Sequence, residues 1–285
     1  NVLTPIPGHQ SNSITRIIPS LLLPAEYFSG DEKGQVLRWS MNSDGTLTNL
    51  SKISDFTSSV QSMDVFNDTS GVYSLLVSGQ GFMLKYYKLN TGNLIGNVIV
   101  NTDSIADLKF SSNGSRLLIA GDNFAKLYDV SNGLNFNNTL KQSYSVDGQE
   151  SISSVNFSQN ENQVIIGDKI GRIKISNTND GSAIWSNSDK HSNEEVSVDF
   201  APNTSVFGNS FLTASSSKAY FWTSANSSYT SPTPAGIWEH DNRITDIQFS
   251  NDNDTPGQPP KYVLTKGDSN ALKIWKIDYT GGVVD

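Results

Sequence analysis

Short apolar runs separated by turn signals pattern this chain, and they recur in threes. The stretch Ser104–Gly133 shows the unit. Ile105, Leu108 and Phe110 mark a first strand, and Ser112-Asn113-Gly114 a turn. Leu117-Leu118-Ile119 is a second strand, and Gly121-Asp122-Asn123 a second turn. Ala125, Leu127 and Tyr128 form a third, ending at Asp129 and Ser131-Asn132-Gly133. Asn-Gly between apolar runs predicts a hairpin, because both residues accept the positive φ of a tight β-turn.

The first strand follows an I-x-x-V-x-F template. It recurs as Val60-Met63-Val65, Ile105-Leu108-Phe110, Ile152-Val155-Phe157 and Ile244-Ile247-Phe249. Weaker copies are Ile14-Ile17, with Pro19 in the aromatic slot, and Val198-Phe200, with Glu195 in the first slot. The starts at 14, 60, 105, 152, 195 and 244 lie 43 to 49 residues apart, near the ~40–45 residues of a four-stranded propeller blade. Second strands recur around Tyr27, Leu75, Leu117, Val164, Phe211 and Tyr262, and third strands end at Trp39, Tyr87, Tyr128, Ser176, Trp222 and Trp275. Outer strands are expected at Leu47–Ile53, Leu94–Val100, Leu134–Leu140, Ser182–Trp185 and Gly236–Trp238, with the Ser-rich stretch Ser224–Ser231 in place of a turn in the fifth repeat.

The sixth repeat is expected to lack a fourth strand, and residues 2–7 are expected to supply it. Two prolines in that segment suit an outermost strand. The fold class is therefore all-β: one domain over residues 1–285, a six-bladed β-propeller of four-stranded antiparallel blades, closed by the N-terminal strand. Closure would remove open sheet edges.

These repeats resemble WD repeats. Gly8-His9 matches the opening dipeptide of that family, Phe110-Ser111, Phe157-Ser158 and Phe249-Ser250 match its first strand, and Tyr128-Asp129 is the best match to its Trp-Asp ending. The other endings depart: Trp39-Ser40, Tyr87-Lys88, Ser176-Asn177, Trp222-Thr223 and Trp275-Lys276. The resemblance implies a turn Asp that buttresses the His, and Lys33 stands in that slot in the first repeat. The family's hydrogen-bond network is accordingly expected to be degenerate. Asp180-Gly181…Trp185 also looks like a quinoprotein-type repeat. The three histidines, His9, His191 and His240, precede the slots at 14, 195 and 244 by four or five residues. One shared phase points to a structural role rather than a ligand set.

Charge narrows the partners. A net charge of −8 with scattered basic residues argues against nucleic acid, which needs clustered Lys and Arg. The longest apolar run, Leu21-Leu22-Leu23, is too short to span a bilayer. The absence of cysteine excludes disulfides, thiolate metal sites and cysteine nucleophiles. It also favours an oxidising, extracellular setting, with a cytoplasmic one as the alternative. The start at Asn1 suits a processed mature chain or a fragment. No nucleophile elbow, H-E-x-x-H or phosphate loop occurs, and no cofactor or metal is expected. Asn251-Asp252-Asn253-Asp254 reads as a solvated loop rather than a calcium site.

The leading expectation is a non-catalytic platform for a protein partner or for self-association. The resemblance to WD repeats implies a partner-binding face made by the loops between outer and inner strands and between second and third strands, which places Lys33, Phe82, Phe124, Lys169, Lys218 and Asn270 on the candidate binding rim. N-x-[ST] motifs make Asn67, Asn113, Asn137, Asn203 and Asn226 candidates for N-linked glycans, whereas Asn156 lies within an inner strand. Other readings stay open at this point: a glycosylated subunit of an extracellular fibre or coat, an intracellular WD-repeat scaffold, or a propeller hydrolase or lyase.

Overall fold

The computed structural model describes residues 8–9, 12–20, 26–42, 47–67, 73–79, 81–100, 104–134, 139–146, 150–187, 191, 194–201, 210–224, 229, 232–249, 262–268, 272–278 and 282–284. They form 24 strands in six four-stranded antiparallel sheets. Sheet one runs β1 (Ile14–Pro19), β2 (Glu26–Asp31), β3 (Gln35–Met41), β4 (Leu47–Asp55). Sheet two is β5 (Ser62–Asn67), β6 (Tyr73–Ser78), β7 (Met83–Lys88) and β8 (Leu94–Ile99); sheet three is β9 (Asp107–Phe110), β10 (Arg116–Gly121), β11 (Phe124–Asp129) and β12 (Leu140–Tyr144). Sheet four is β13 (Ile152–Phe157), β14 (Gln163–Asp168), β15 (Ile173–Asn177) and β16 (Ala183–Asn187). Sheet five is β17 (Ser197–Phe200), β18 (Phe211–Ser215), β19 (Lys218–Thr223) and β20 (Thr233–Glu239), and sheet six is β21 (Ile244–Phe249), β22 (Tyr262–Gly267), β23 (Leu272–Asp278) and β24 (Gly282–Val284). Each is a meander in chain order, the form of a propeller blade. Among the described residues no helix is long and apolar enough to cross a membrane.

The chain divides into two compact units, Asn1–Asp122 with Leu127–Lys141, and Asn123–Lys126 with Gln142–Asp285. In the first, one cluster lies between sheets one and two and holds Phe28, Val60, Leu75 and Val77; a second lies between sheets two and three and holds Leu76, Leu84, Leu108 and Leu117. Leu75 and Val77 thus point one way and Leu76 the other, as alternation along a strand requires. Burial of both faces explains why second strands read as unbroken apolar runs. In the second unit, Phe211 packs with Ile165, Ile175 and Trp222, while Leu212 and Ala214 pack with Ile247, Val263 and Trp275.

Two polar devices recur on the inner strands. In sheets one, four and six the register slips after the template isoleucine, at Thr15, Ser153 and Thr245. Each hydroxyl bonds a second-strand carbonyl across the bulge: Thr15 to Gly30, Ser153 to Gly167 and Thr245 to Lys266. Neighbouring inner strands are then joined by hydroxyls that accept backbone N–H groups. Leu108 donates to Ser62 at 3.2 Å, Val198 to Ser154 at 3.2 Å and Ile247 to Ser197 at 3.2 Å. Asp64 and Asp199 accept in the same way from Phe110 and Phe249, at 2.6 and 2.7 Å. In β2 and β14 the close approach of the next sheet requires a glycine one residue before the strand's end. A Cβ on Gly30 would meet Val60 at 2.6 Å, and one on Gly167 the Val196 carbonyl at 2.8 Å.

Two expectations change. The sixth sheet has its own fourth strand, β24, paired with β23 through Lys276↔Val284 and Asp278↔Gly282. Three residues are too short to signal by pattern. Residues 2–7, expected in that place, lie outside the described residues. In sheet three the outer strand starts only at Leu140, where the expected segment ended. Elsewhere the outer strands match within a few residues.

The hydroxyl links between inner strands have a measurable consequence. Ser154→Ala leaves the buried Val198 N–H without its acceptor and should lower stability by about 1–3 kcal/mol. Exposed Ser186→Ala should stay within about 0.5 kcal/mol of wild type. Urea midpoints check both; equal midpoints for Ser154→Ala and wild type would refute the linking role.

Candidate functional site

In sheet one, four side chains distant in sequence meet beneath the turn between β2 and β3. Trp39 Nε1 donates to Ser29 Oγ at 3.1 Å, and Ser29 Oγ lies 2.6 Å from His9 Nε2. His9 Nδ1 lies 2.9 Å from Asp31 Oδ2. All groups are satisfied when Ser29 donates to Nε2 and Nδ1–H donates to Asp31. Asp31 Oδ2 also accepts from Asn12, and Oδ1 from the Lys33 and Gln35 backbone N–H groups. Burial pushes the Asp31 carboxyl upward, but the donors His9, Asn12, Gln35 and Lys33 outweigh it and hold its pKa below the usual range.

Ser29, His9 and Asp31 have the connectivity of a nucleophilic triad. Their surroundings do not suit catalysis. Ser29 and Asp31 are 0% exposed and His9 2%, and the serine oxygen already accepts from Trp39. No reacting atom could approach it. The constellation is a structural clamp between the lead-in loop, two strands and a turn.

Register places the same slots in the other sheets. Trp39, Trp222 and Trp275 pair with Tyr27, Phe211 and Val263. Two residues beyond each partner stands a hydroxyl, Ser29, Thr213 or Thr265, and four beyond stands Asp31, Ser215 or Gly267. In sheet five, Trp222 Nε1 donates to Thr213 Oγ1 at 2.8 Å, and His191 Nε2 lies 2.8 Å from the same oxygen. The His191 ring stands edge-on to Tyr220, and burial pushes its pKa down to about 4. In sheet six, Trp275 Nε1 bonds Thr265 Oγ1 at 2.8 Å, yet neither ring nitrogen of buried His240 has a hydrogen-bond partner among the described residues. Burial, then Lys273, lower its pKa against the pull of Asp241. Sheets two, three and four carry Val77, Ile119 and Ile166 in the hydroxyl slot, with no histidine. Sheet four keeps Asp168, which takes its charge partner from its own turn, Arg172 Nε at 2.6 Å.

The exposed counterpart of these clamps is the set of turns between second and third strands. Lys33, Phe82, Lys169 and Lys218 are exposed there, and Phe124 is half-buried. Asn270 lies outside the described residues. The turn backbones are fixed from below. Asp168 Oδ1 accepts from Ile170 and Arg172 N–H groups, as Asp31 does from Lys33 and Gln35. Turns also bond the loops that lead into inner strands: Glu32 N–H to Ser13 O, Lys169 N–H to Ser151 O and Asp268 N–H to Arg243 O. Lys218 pairs with Glu239 at 3.4 Å, and Lys126 lies over the Phe124 ring at 4.6 Å. The aromatic row Trp39, Tyr87, Tyr128, Trp222 and Trp275 is buried, 1–9% exposed, and offers no stacking platform. Asn67, the last residue of β5, and Asn113, in the turn after β9, are exposed; Asn137, Asn203 and Asn226 lie outside the described residues. Asn156 is half-buried and bonds Asp199. Among the described residues no group of three or more His, Cys, Asp or Glu could hold a metal ion.

Residues 92–129 match the WD40 family, described as WD domain, G-beta repeat. That window runs from β8 through β9, β10 and β11 to Asp129. The fold aligns with a chain from a structure titled Crystal Structure of Mitotic Checkpoint Complex, with a TM-score of 0.68 and 15% identity over 94% of this chain and 76% of that one. By fold this is a six-bladed β-propeller, and it resembles the WD-repeat proteins. No curated protein matches it in sequence.

One expectation about the propeller is thereby corrected. The turn Asp of the first repeat is Asp31, two residues before Lys33, and the network there is complete rather than degenerate. Among the described residues it thins to one His bond in sheet five and none in sheet six. Sequence reasoning missed it because its bonded pairs lie 10 to 22 residues apart. A signal was present: in repeats one, five and six a hydroxyl two residues beyond the tryptophan's cross-strand partner accompanies both that tryptophan and a lead-in histidine.

The graded network of the propeller sets unequal costs for one substitution. His9→Phe should destabilise by about 2–4 kcal/mol, because Asp31 and Ser29 lose buried partners, while His240→Phe should cost under about 1 kcal/mol. Chemical denaturation of the two variants checks the order, and equal losses would contradict it. Titration of His191 gives a second outcome. Between its ordinary pKa of 6.5 and about 4, the unfolded chain binds a proton that the folded chain refuses. Its contribution is therefore full above pH 6.5 and is lost as pH falls toward 4, about 3 kcal/mol in all. His191→Phe should lose less stability than wild type between pH 7 and pH 4.5; parallel losses would show that His191 is not the group responsible.

Proposed function

We propose that the chain works as one non-catalytic β-propeller module that presents a rigid surface to a protein partner. The observation that carries this reading is the pairing of exposed and clamped residues in the turns between second and third strands. Lys33 and Lys169 offer their side chains to solvent while Asp31 and Asp168 hold the backbone beneath them. Such a surface binds with little ordering cost, because its loops are pre-set. The WD40 match at residues 92–129 and the fold shared with a chain from a multiprotein complex support the same reading.

The turns and lead-in loops carry mixed chemistry: Lys33 and Phe82 are exposed in the first unit, and in the second Lys169 and Lys218 are exposed and Arg243 pairs with Glu195 at 2.6 Å. A partner with acidic and apolar side chains fits it. Secretion with N-linked glycans is a further proposal, favoured by the exposure of Asn67 and Asn113; intact mass of the native protein tests it.

A photo-crosslinking side chain at Lys33, and separately one at Lys169, should each capture a protein. The same group at Asn90 or Gln159, in the other class of turn, should not. Charge reversal at Lys169 should weaken the partner captured there by about tenfold, mainly through association rate. Adducts confined to Asn90 and Gln159 would overturn the assignment to these turns.

A further inference from the structure

We propose that the outer edge of sheet two is a self-association surface, at which two copies of the chain pair their β8 strands antiparallel about a two-fold axis through Asn97. This differs from the partner face above in using a sheet edge, and it meets the turns of that face only at Phe82. β8 is the outermost strand of its sheet, bonded on one side to β7. Ile95, Asn97 and Ile99 are all exposed while the alternate Gly96 and Val98 are half-buried. Ile99 is 64% exposed and Ile95 47%. Met83, paired with Ile99 across the sheet, and the preceding Phe82 are exposed as well, at 38% and 47%. Five of the nine large exposed apolar side chains among the described residues therefore lie on β8 or beside it.

Outer strands normally carry a charge or a proline that blunts pairing with another chain. β4 has Lys52, β12 has Lys141, and β20 has Pro234 and Glu239. β16 has neither, but its Ile184 and Trp185 pack inward against the core. β24 has only three residues. β8, with the sequence LIGNVI, has no charge, no proline and an exposed apolar face.

The strand is complementary to itself. With Asn97 opposite Asn97 of the second copy, Ile95 faces Ile99 and Gly96 faces Val98 on both sides of the axis. Directly opposed residues share a face, so the exposed set meets the exposed set. The two carboxamides pair on the axis, each able to donate and accept. A charged partner would find nothing to read on this strand. A second copy would, and the contact itself adds no charge to the repulsion between two chains of net charge −8. A standard interface covers about 800 Å² and roughly 20–30 residues on each side; a six-residue strand with its neighbours covers less. The dimer is therefore weak, and salt strengthens it by screening the net charge.

Sedimentation across micromolar to millimolar protein, at low and molar salt, should show a monomer–dimer equilibrium that shifts toward dimer with salt. Ile99→Lys and Ile95→Lys, both at exposed positions, should each weaken it at least tenfold with unchanged thermal stability. The chain has no cysteine, so Asn97→Cys introduces a single thiol on the axis; under mild oxidation it should give a disulfide dimer faster than Ser186→Cys. Constant monomer mass at the highest concentration in molar salt would overturn the proposal. So would a dimer unaffected by both lysine variants, equal oxidation rates for the two cysteine variants, or capture of a different protein by the Asn97→Cys variant in preference to a second copy.

Discussion

A four-stranded sheet with apolar side chains on both faces cannot be stable alone in water. Each sheet here is in that position. Leu75 and Val77 need sheet one, and Leu76 needs sheet three; Phe211 needs sheet four, and Leu212 needs sheet six. Full burial of one such side chain contributes roughly 1.5–3 kcal/mol, and each second strand commits several. Stability is thus a property of neighbouring sheets rather than of any one of them. It also dictates the small residues: glycine stands one residue before the ends of β2 and β14 because Val60 and Val196 pack there.

Packing of greasy faces is tolerant of sliding, and the polar devices remove that tolerance. A serine hydroxyl accepting one N–H of the next inner strand fixes the two strands to within a residue. A carboxylate two positions on repeats the restraint in two of the junctions. Bulges at Thr15, Ser153 and Thr245 set where each inner strand bends. These bonds are few and individually modest, near 1 kcal/mol. Their value lies in position: a one-residue slip would turn every apolar side chain to the wrong face.

How far this was legible follows from which features are periodic. The apolar template, the two turns per repeat and the terminal aromatics recur at nearly constant spacing, so six sheets could be counted from Ile14, Val60, Ile105, Ile152, Glu195 and Ile244. β24 could not be read, because three residues with two valines carry no period. The start of β12 was misplaced, since Leu134 and Leu140 are equally apolar and pattern does not say which one pairs. The resemblance puts Lys33 in the Asp slot, but the turn between second and third strands varies in length between repeats. The hydrogen-bond geometry shows that the second strand, not the turn, carries the count: Asp31 is its last residue, as Asp168 is in sheet four. The exposed edge of β8 was visible as sequence but not as surface, because burial of an outer strand depends on what lies beside it.

The three histidines separate two roles that a complete network would confound. Each is 2–4% exposed, yet among the described residues His9 has two side-chain bonds, His191 one and His240 none. Burial of the ring therefore does not depend on its partners. The lead-in loop drives it, held by backbone bonds such as His240 N–H to Ser217 O, and the imidazole is carried along. What the partners add is orientation, and with it the firmness of the turn above. Asp31 holds both ring and turn, so the first repeat couples the buried clamp to the exposed Lys33. Sheet six has Gly267 in that slot, and among the described residues its turn is tied by Asp268 N–H to Arg243 O. The turns at Lys33 and Lys169 are thus held by a carboxylate beneath them. The chemistry of the face and its rigidity are set by the same slot of the repeat.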